Sequence, residues 1–281
     1  MNLKSLLFVP GHSEKFFQSA LKTNADCIVL DLEDSVPLDK KKTASDSILR
    51  KLKKLKNRYT LIRLNQISSK TMQELRKCKS NNLNGFILSK IESKNDIKKF
   101  LGFLKEVFKK KFSKLDLFPL IENTKSIVNV KEIIKSSKMI KGCLFGHEDY
   151  LVSLQGDDVI NNNSLMYARL KLANYCRAYN IYPIDMAYLN IKNITGCKNF
   201  CLESKSLGFS GMIVVYPLQV DIANEMYAPS KNEYDNAKRI VDLSKVKKNS
   251  IFLDSKGKYV GPPHLKKALR VISKQKKIIH E

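Results

Sequence analysis

No apolar run in the 281 residues approaches the roughly 18 to 20 that a membrane-spanning helix needs. The longest near the start, Leu6 to Pro10, is also too short for a signal-peptide core. The expectation is a soluble, cytoplasmic chain without a membrane partner. Clustered thiols and imidazoles are missing too. The six cysteines (Cys27, Cys78, Cys143, Cys176, Cys197 and Cys201) are scattered, and the close pair Cys197 and Cys201 has no second ligand pair nearby. That disfavours a structural zinc site and predicts buried free thiols. Repeats of fixed period and low-complexity blocks beyond short lysine runs are absent, so a repeat array is excluded. Acids are scarce: 27 Asp plus Glu stand against 51 Lys plus Arg, a formal net charge of +24.

What is present is ordinary for a globular protein, with 43% hydrophobic and 28% charged residues. The lysines cluster at Lys40 to Lys42, Lys51 to Lys56, Lys109 to Lys114 and Lys274 to Lys277, which read as solvated outer helix faces. Only Phe112 interleaves with them as a stacking platform, and no helix-turn-helix, zinc-finger or RNA-binding signature accompanies the charge, so nucleic acid is not the expected partner. A basic field would still gather an anionic substrate.

Short runs rich in Val, Ile, Leu and Phe alternate with longer amphipathic stretches, the pattern of repeated βα units around a parallel sheet. Strands are expected at Ser5 to Val9, Cys27 to Leu32, Thr60 to Leu64, Gly85 to Ser89, Asp116 to Ile121, Lys141 to Phe145, Ile181 to Asp185 and Gly211 to Tyr216. Between them lie helical stretches such as Glu14 to Lys22, Asp39 to Leu55, Ser93 to Lys110, Thr124 to Lys135 and Ser164 to Tyr179, with Ser13 and Ser93 as N-cap signals. Eight such units fit a (β/α)8 TIM barrel over residues 1–245. Residues 246–281 would add a hairpin (Ile251 to Val260, turning near Ser255 to Gly257) and a helix from Pro263 to Lys277, a lid or oligomer contact too short for a core of its own.

In a barrel, chemistry sits at the carboxyl ends of the strands. There this acid-poor chain concentrates its acids: Asp31, Glu33 and Asp34 after strand two, Glu92 after strand four, Glu122 after strand five, Glu148 and Asp149 after strand six, Asp185 at the end of strand seven. Arg63, Asn65 and Lys90 stand at neighbouring ends. A ring of carboxylates without clustered His or Cys suits Mg2+, which takes one or two carboxylates and leaves its other positions to water and substrate. Glu122 and Asp149 are the ligand candidates, although spacing equally allows two N-cap or loop-bracing carboxylates. Arg63 would aim its planar fork at the mouth to grip a carboxylate or enolate oxygen, or else form a structural ion pair with Glu33 or Asp34. Lys15, in the first turns of helix one, would meet phosphate or simply be solvated. His12 and His147 are read as loop residues.

These residues also carry a resemblance. The strings Ser5-Leu-Leu-Phe-Val-Pro-Gly, Leu30-Asp-Leu-Glu-Asp-Ser-Val-Pro, Ile62-Arg-Leu-Asn, Ser89-Lys-Ile-Glu-Ser, Leu120-Ile-Glu-Asn-Thr and Phe145-Gly-His-Glu-Asp occur in order. Together they resemble the citrate lyase beta subunit family, with its citryl-CoA, malyl-CoA and citramalyl-CoA lyases, within the HpcH/HpaI aldolase superfamily. The resemblance implies a Mg2+-dependent barrel, usually a homotrimer, free-standing or within a lyase complex, that makes or breaks a carbon-carbon bond between an acyl-CoA and a 2-oxo acid. It places the metal-binding Glu and Asp on Glu122 and Asp149 and the substrate-gripping Arg on Arg63. It puts a CoA-phosphate contact on Lys15 and an aromatic neighbour of CoA on Phe8.

The tail departs from that pattern. Family members read Gly-Lys-Met-Val/Ile-Asp-x-Pro, with the Asp serving a neighbouring subunit as acid/base; here the string is Gly257-Lys-Tyr-Val-Gly-Pro-Pro, and Gly261 stands in the acid's place. Glycine transfers no proton, so Asp254, Glu33, Asp34 or water must take over. The family's Gly-Lys-x-x-Ile-His-Pro is likewise Gly211-Met-Ile-Val-Val-Tyr-Pro. Loss of rim groups with retention of Arg63 and the metal pair points to an altered substrate, with an aldolase on a non-CoA 2-oxo acid, or a non-catalytic relative, as the alternatives.

Overall fold

A computed structural model describes residues 3–157, 163–247, 251–253, 257 and 259–279. Eight parallel strands close into a barrel in sequence order: β1 (Ser5–Pro10), β2 (Cys27–Asp31), β3 (Thr60–Leu64), β4 (Gly85–Leu88), β5 (Asp116–Ile121), β6 (Gly142–Phe145), β7 (Tyr182–Asp185) and β8 (Gly211–Val214). Every one of them lies on a run the sequence marks as a strand. Around them run α1 (Glu14–Leu21), α2 (Lys41–Lys54), α3 (Thr71–Lys77), α4 (Lys94–Phe108), α5 (Thr124–Lys135), α6 (His147–Leu154), α7 (Asn163–Ala178), α8 (Ile194–Ser206) and α9 (Leu218–Tyr227). The (β/α)8 TIM barrel is therefore the observed architecture. Buried on both faces, its strands are continuous apolar runs, as parallel strands require.

Side chains alternate across each strand. Leu6, Val29, Leu61, Ile87, Phe118, Leu120, Leu144, Ile184 and Ile213 share one buried cluster, with Phe8 packed against it. Two residues beyond Val29, Leu61, Ile87 and Leu120 come Asp31, Arg63, Ser89 and Glu122, so the same face turns polar at the carboxyl end. The helix starts follow their capping residues: Ser13 accepts from the Phe16 N–H, and Ser93 with Asp96 forms a full capping box.

Residues 225–281 form a second compact unit, in which α10 (Lys231–Lys247) packs against α11 (Pro262–Ile279). The boundary expected at residue 245 puts the α10 stretch with the barrel, whereas this division falls at residue 225. A short antiparallel pair, β9 (Phe252–Leu253) and β10 (Tyr259–Val260), precedes α11. Gly257 takes φ +71° in the connection, a left-handed value that favours glycine, and Asp254 lies outside the described residues. All six cysteines are buried and free, as expected.

Two lysines overturn the reading of their runs as solvated faces. Lys51 lies on the buried stripe Ala44, Ile48, Lys51, Leu52 of α2 and is 1% exposed. Its ammonium donates to the Gly11 carbonyl and sits 5.5 Å from the Phe17 ring centre. Helical period decided its burial, and the carbonyl satisfies the charge. Lys41 donates to the Leu32 and Glu33 carbonyls at 2.8 and 2.6 Å and to Asn65 Oδ1 at 2.8 Å, pinning the loop that carries Glu33 and Asp34.

Candidate active site

Arg63, near the carboxyl end of β3, anchors one half of the mouth. Its Nε and Nη2 donate to Asp31 Oδ1 and Oδ2 at 2.7 and 2.6 Å, a bidentate fork. Nη1 lies 2.9 Å from Glu33 Oε2 and 3.3 Å from Asp34 Oδ2. The guanidinium stacks 5.3 Å from the centre of the Phe8 ring. Glu33, Asp34, Arg63 and Phe8 are thus brought together, with Asp31 as the member that sequence reasoning placed at the strand end without a task. The Glu33 and Ser35 N–H groups and the Ser35 hydroxyl all donate to the Asp31 carboxylate.

The electrostatics separate these acids. Burial pushes Asp31 up, but the Arg63 hydrogen bonds and charge outweigh it and hold the carboxyl below the usual range. Glu33 goes the other way. Burial, helped by Asp34, pushes it up to about 7 despite Arg63 and Lys90. Its Oε2 is close to Arg63 but misaligned, and this buried oxygen takes no hydrogen bond. A carboxyl poised near neutrality and short of a partner has the character of a general acid/base.

Glu122 and Asp149 form the other half, joined through Lys90. Glu122 follows β5 and is 1% exposed; its Oε1 accepts from the Lys90 backbone N–H. Lys90 Nζ lies 2.6 Å from Asp149 Oδ2 in the first turn of α6. Lys90 itself takes φ +55°, uncommon for a residue other than glycine. That turn sends its N–H to one carboxylate while its ammonium reaches another. Gly146 makes room for the arrangement, since a Cβ there would come within 2.7 Å of Glu122 Cβ and 3.1 Å of its Oε2. Burial pushes Glu122 up to about 8, against the Lys90 hydrogen bond and charge and with the help of Glu33 and Asp149. Burial lowers Lys90, but Asp149, Glu122 and Glu33 outweigh it and hold the ammonium charged. Glu33 therefore acts on both halves. Ser89 Oγ, between them on β4's continuation, is buried without a hydrogen bond.

Other residues named from sequence fall elsewhere. Lys15 is exposed on α1. Asp185, expected at the mouth, faces the opposite way: next to inward-facing Ile184, it alternates outward and takes a bidentate fork from Arg169 of α7. His147 Nε2 pairs with Glu148 Oε1 at 2.9 Å, and His12 Nδ1 is buried without a hydrogen bond.

Among the described residues no group of three or more His, Cys, Asp or Glu converges on one point. The donor set fits Mg2+ nonetheless, because that ion keeps most of its waters and needs only one or two carboxylates. Glu122 and Asp149 are the two that would supply them, and Asp149 already holds a cationic ammonium. A solvent-open cleft of 640 Å³ lined by Lys79, Asn81, Phe108, Lys109, Lys110 and Lys111 lies beside the segments entering β4 and β5, and it holds no carboxylate. No helix of the described residues is long and apolar enough to cross a membrane.

A family model described as HpcH/HpaI aldolase/citrate lyase matches residues 4–217. The citrate lyase subunit beta of Escherichia coli K12 is 27% identical over 282 residues, covering 96% of this chain and 92% of its own. The mitochondrial citramalyl-CoA lyase of Homo sapiens is 27% identical over 259 residues, with 85% and 74% covered. Among solved structures, CitE from Mycobacterium tuberculosis in complex with magnesium, acetoacetate and coenzyme A superposes with a TM-score of 0.80 at 20% identity, covering 97% of this chain and 98% of that one.

Proposed function

The chain belongs to the HpcH/HpaI aldolase/citrate lyase family, and on that premise we propose that it is a Mg2+-dependent carbon-carbon lyase acting on a 3-hydroxyacyl-CoA such as citryl-, malyl- or citramalyl-CoA. The observation that carries the proposal is the meeting of two charged clusters at one barrel mouth: Arg63 with Asp31, Glu33 and Asp34, and Glu122 with Lys90 and Asp149. The relatives named as citrate lyase subunit beta and citramalyl-CoA lyase support the substrate class.

Glu122 and Asp149 would hold Mg2+, which when bound supplies Lewis acidity at substrate oxygens. Arg63 grips the substrate carboxylate, trading its contact with Asp34 or Glu33 for the ligand, while Asp31 keeps the guanidinium in place. Phe8 packs beside the CoA, and Lys15 meets CoA phosphates. Cleavage passes the 3-hydroxyl proton to water or to Asp34 at the mouth, forms the oxo group, breaks the bond between C2 and C3 and leaves the electron pair on the acyl-CoA as an enolate. A proton must then reach that enolate. Glu33, raised to about 7, holds a proton near neutrality at the mouth, with Asp34 beside it, so this pair takes the place of the acid that Gly261 does not supply.

We propose further that the chain is a homotrimer, alone or in a lyase complex, with the 246–281 extension at the oligomer contact. A second reading, an aldolase acting on a 2-oxo acid without CoA, draws on Gly261 and on the exposed position of Lys15. Calorimetric titration with oxaloacetate, pyruvate and acetyl-CoA, each with and without Mg2+, distinguishes them. Metal-dependent binding of both oxo acid and acetyl-CoA, lost for the oxo acid in Glu122→Ala, supports the lyase. Oxo-acid binding without CoA affinity supports the second reading, and no binding at all overturns both.

A further inference from the structure

We propose that Lys90 is a positioning residue that makes the metal site depend on substrate: its ammonium weakens Mg2+ binding to the carboxylate pair and strengthens oxo-acid binding to the metal-loaded site. The inference rests on the reading of Glu122 and Asp149 as the Mg2+ ligands.

Geometry and charge carry it. Lys90 is tied to both carboxylates at once, through its backbone N–H to Glu122 and through Nζ to Asp149 Oδ2 at 2.6 Å. Its left-handed backbone, φ +55°, allows the two contacts together. Glu122 and Glu33 also act on the ammonium through space, while Asp149 alone touches it. Whatever charge the neighbouring carboxylates carry, the ammonium makes the pocket one charge less negative for Mg2+ and the loaded site one charge more positive for the carboxylate of a 2-oxo acid. Arg63 grips substrate from the other cluster, where its ion pairs are with Asp31, Glu33 and Asp34 and not with the metal pair. Lys90 is thus the charge that links metal to substrate, and the linkage is reciprocal.

The test uses Lys90→Met, which keeps the backbone N–H donor to Glu122 and removes the ammonium with its contact to Asp149, and Lys90→Arg, which restores the charge. Titration of the intact protein with Mg2+ alone, and of the Mg2+-loaded protein with oxaloacetate, reads the two affinities separately. For one unit charge a few ångströms away in a partly buried site, each changes by about tenfold or more. Lys90→Met is expected to bind Mg2+ more tightly and oxaloacetate more weakly, and Lys90→Arg to return both toward the wild-type values. Parallel losses in Lys90→Met would mean that Lys90 only holds the fold of the site, and unchanged affinities would mean that its charge does not reach the metal; either overturns the proposal. If the wild type binds no Mg2+, the reading of the site itself has failed. Thermal unfolding of each variant without Mg2+ confirms that every titration is made on folded protein.

Discussion

The molecule buries two Arg–Asp pairs of nearly the same design, and they do different things. Arg63 grips Asp31 at the mouth, and Arg169 grips Asp185 between β7 and α7. Each arginine forks onto an aspartate at or near a strand's carboxyl end, each reaches a further carboxylate (Glu33 and Asp34, or Glu203), and each lies over phenylalanine, Phe8 at 5.3 Å or Phe200 at 5.4 Å. Both aspartates are 0% exposed. The difference is strand parity. Asp31 follows Val29 by two residues and faces the barrel interior; Asp185 follows inward-facing Ile184 by one and faces the helices. A buried ion pair by itself therefore says little about function. The face of the strand on which it sits says more.

Exchanging each pair for apolar side chains of similar size gives the sharpest contrast. Such exchanges are often neutral for stability. Arg169→Met with Asp185→Leu is expected to leave kcat/KM within about twofold of wild type, since nothing in the pair meets substrate. Arg63→Met with Asp31→Leu is expected to fold and lose kcat/KM by about 10²- to 10³-fold, the size of a missing charge-stabilising donor. Steady-state lyase assays beside thermal melts check both. Equal losses would erase the distinction between the pairs.

Breaking one partner should reveal the structural role that exchange conceals. Arg169→Ala leaves Asp185 buried and unpaired and is expected to cost about 3–5 kcal/mol in denaturant unfolding. Glu203 cannot compensate, being a carboxylate itself.

The contrast between the pairs also explains what the sequence revealed. All eight strands were readable because β-branched and aromatic runs between turn signals are short, apolar and regularly spaced. Arg63, Glu33, Asp34, Glu122 and Asp149 were readable as strand-end residues, and the structure brings them to one mouth. Asp185 was assigned there wrongly, since in Tyr182-Pro-Ile-Asp both faces are buried and no polar alternation announces which residue points inward. Arg169 carried a signal that went unread: it falls on the helical stripe Leu165, Ala168, Arg169, Leu172, Ala173 and Cys176, where a charge needs a buried partner. Lys51 repeats that lesson on α2. The link made by Lys90 was not legible, because it needs a left-handed backbone and the approach of α6, both tertiary facts.

The mouth should also show its character through pH. Glu33 and Glu122 are raised to about 7 and about 8 from 4.5, so the folded state keeps protons that the unfolded chain releases. Their contribution to stability is complete below about pH 4.5 and declines as pH rises toward about 8. Asp31, held below its ordinary 3.8, acts oppositely: its contribution is present above that value and lost on acidification. Unfolding free energies of Glu33→Gln measured between pH 5 and 8 (about this window) should fall less steeply than those of wild type. An unchanged slope would show that Glu33 is not protonated in the folded mouth.

The smallest effects belong to the outer carboxylates, and they test the comparison most finely. Asp34 and Glu203 each complete an arginine's coordination from a half-exposed position, 56% and 49% exposed. Solvent screens both contacts, so Asp34→Asn and Glu203→Gln should each cost under about 1 kcal/mol of stability. Their functional consequences should still part. Asp34→Asn removes one of the two acids that flank Arg63 and leaves Glu33 with one fewer neighbouring negative charge, which lowers its pKa and moves the alkaline limb of the kcat profile, where the proton-donating form is lost, toward lower pH. Glu203→Gln changes only a helix-side contact, and its profile should overlay the wild type. If the two profiles shift alike, strand parity does not separate the functional ion pair from the structural one.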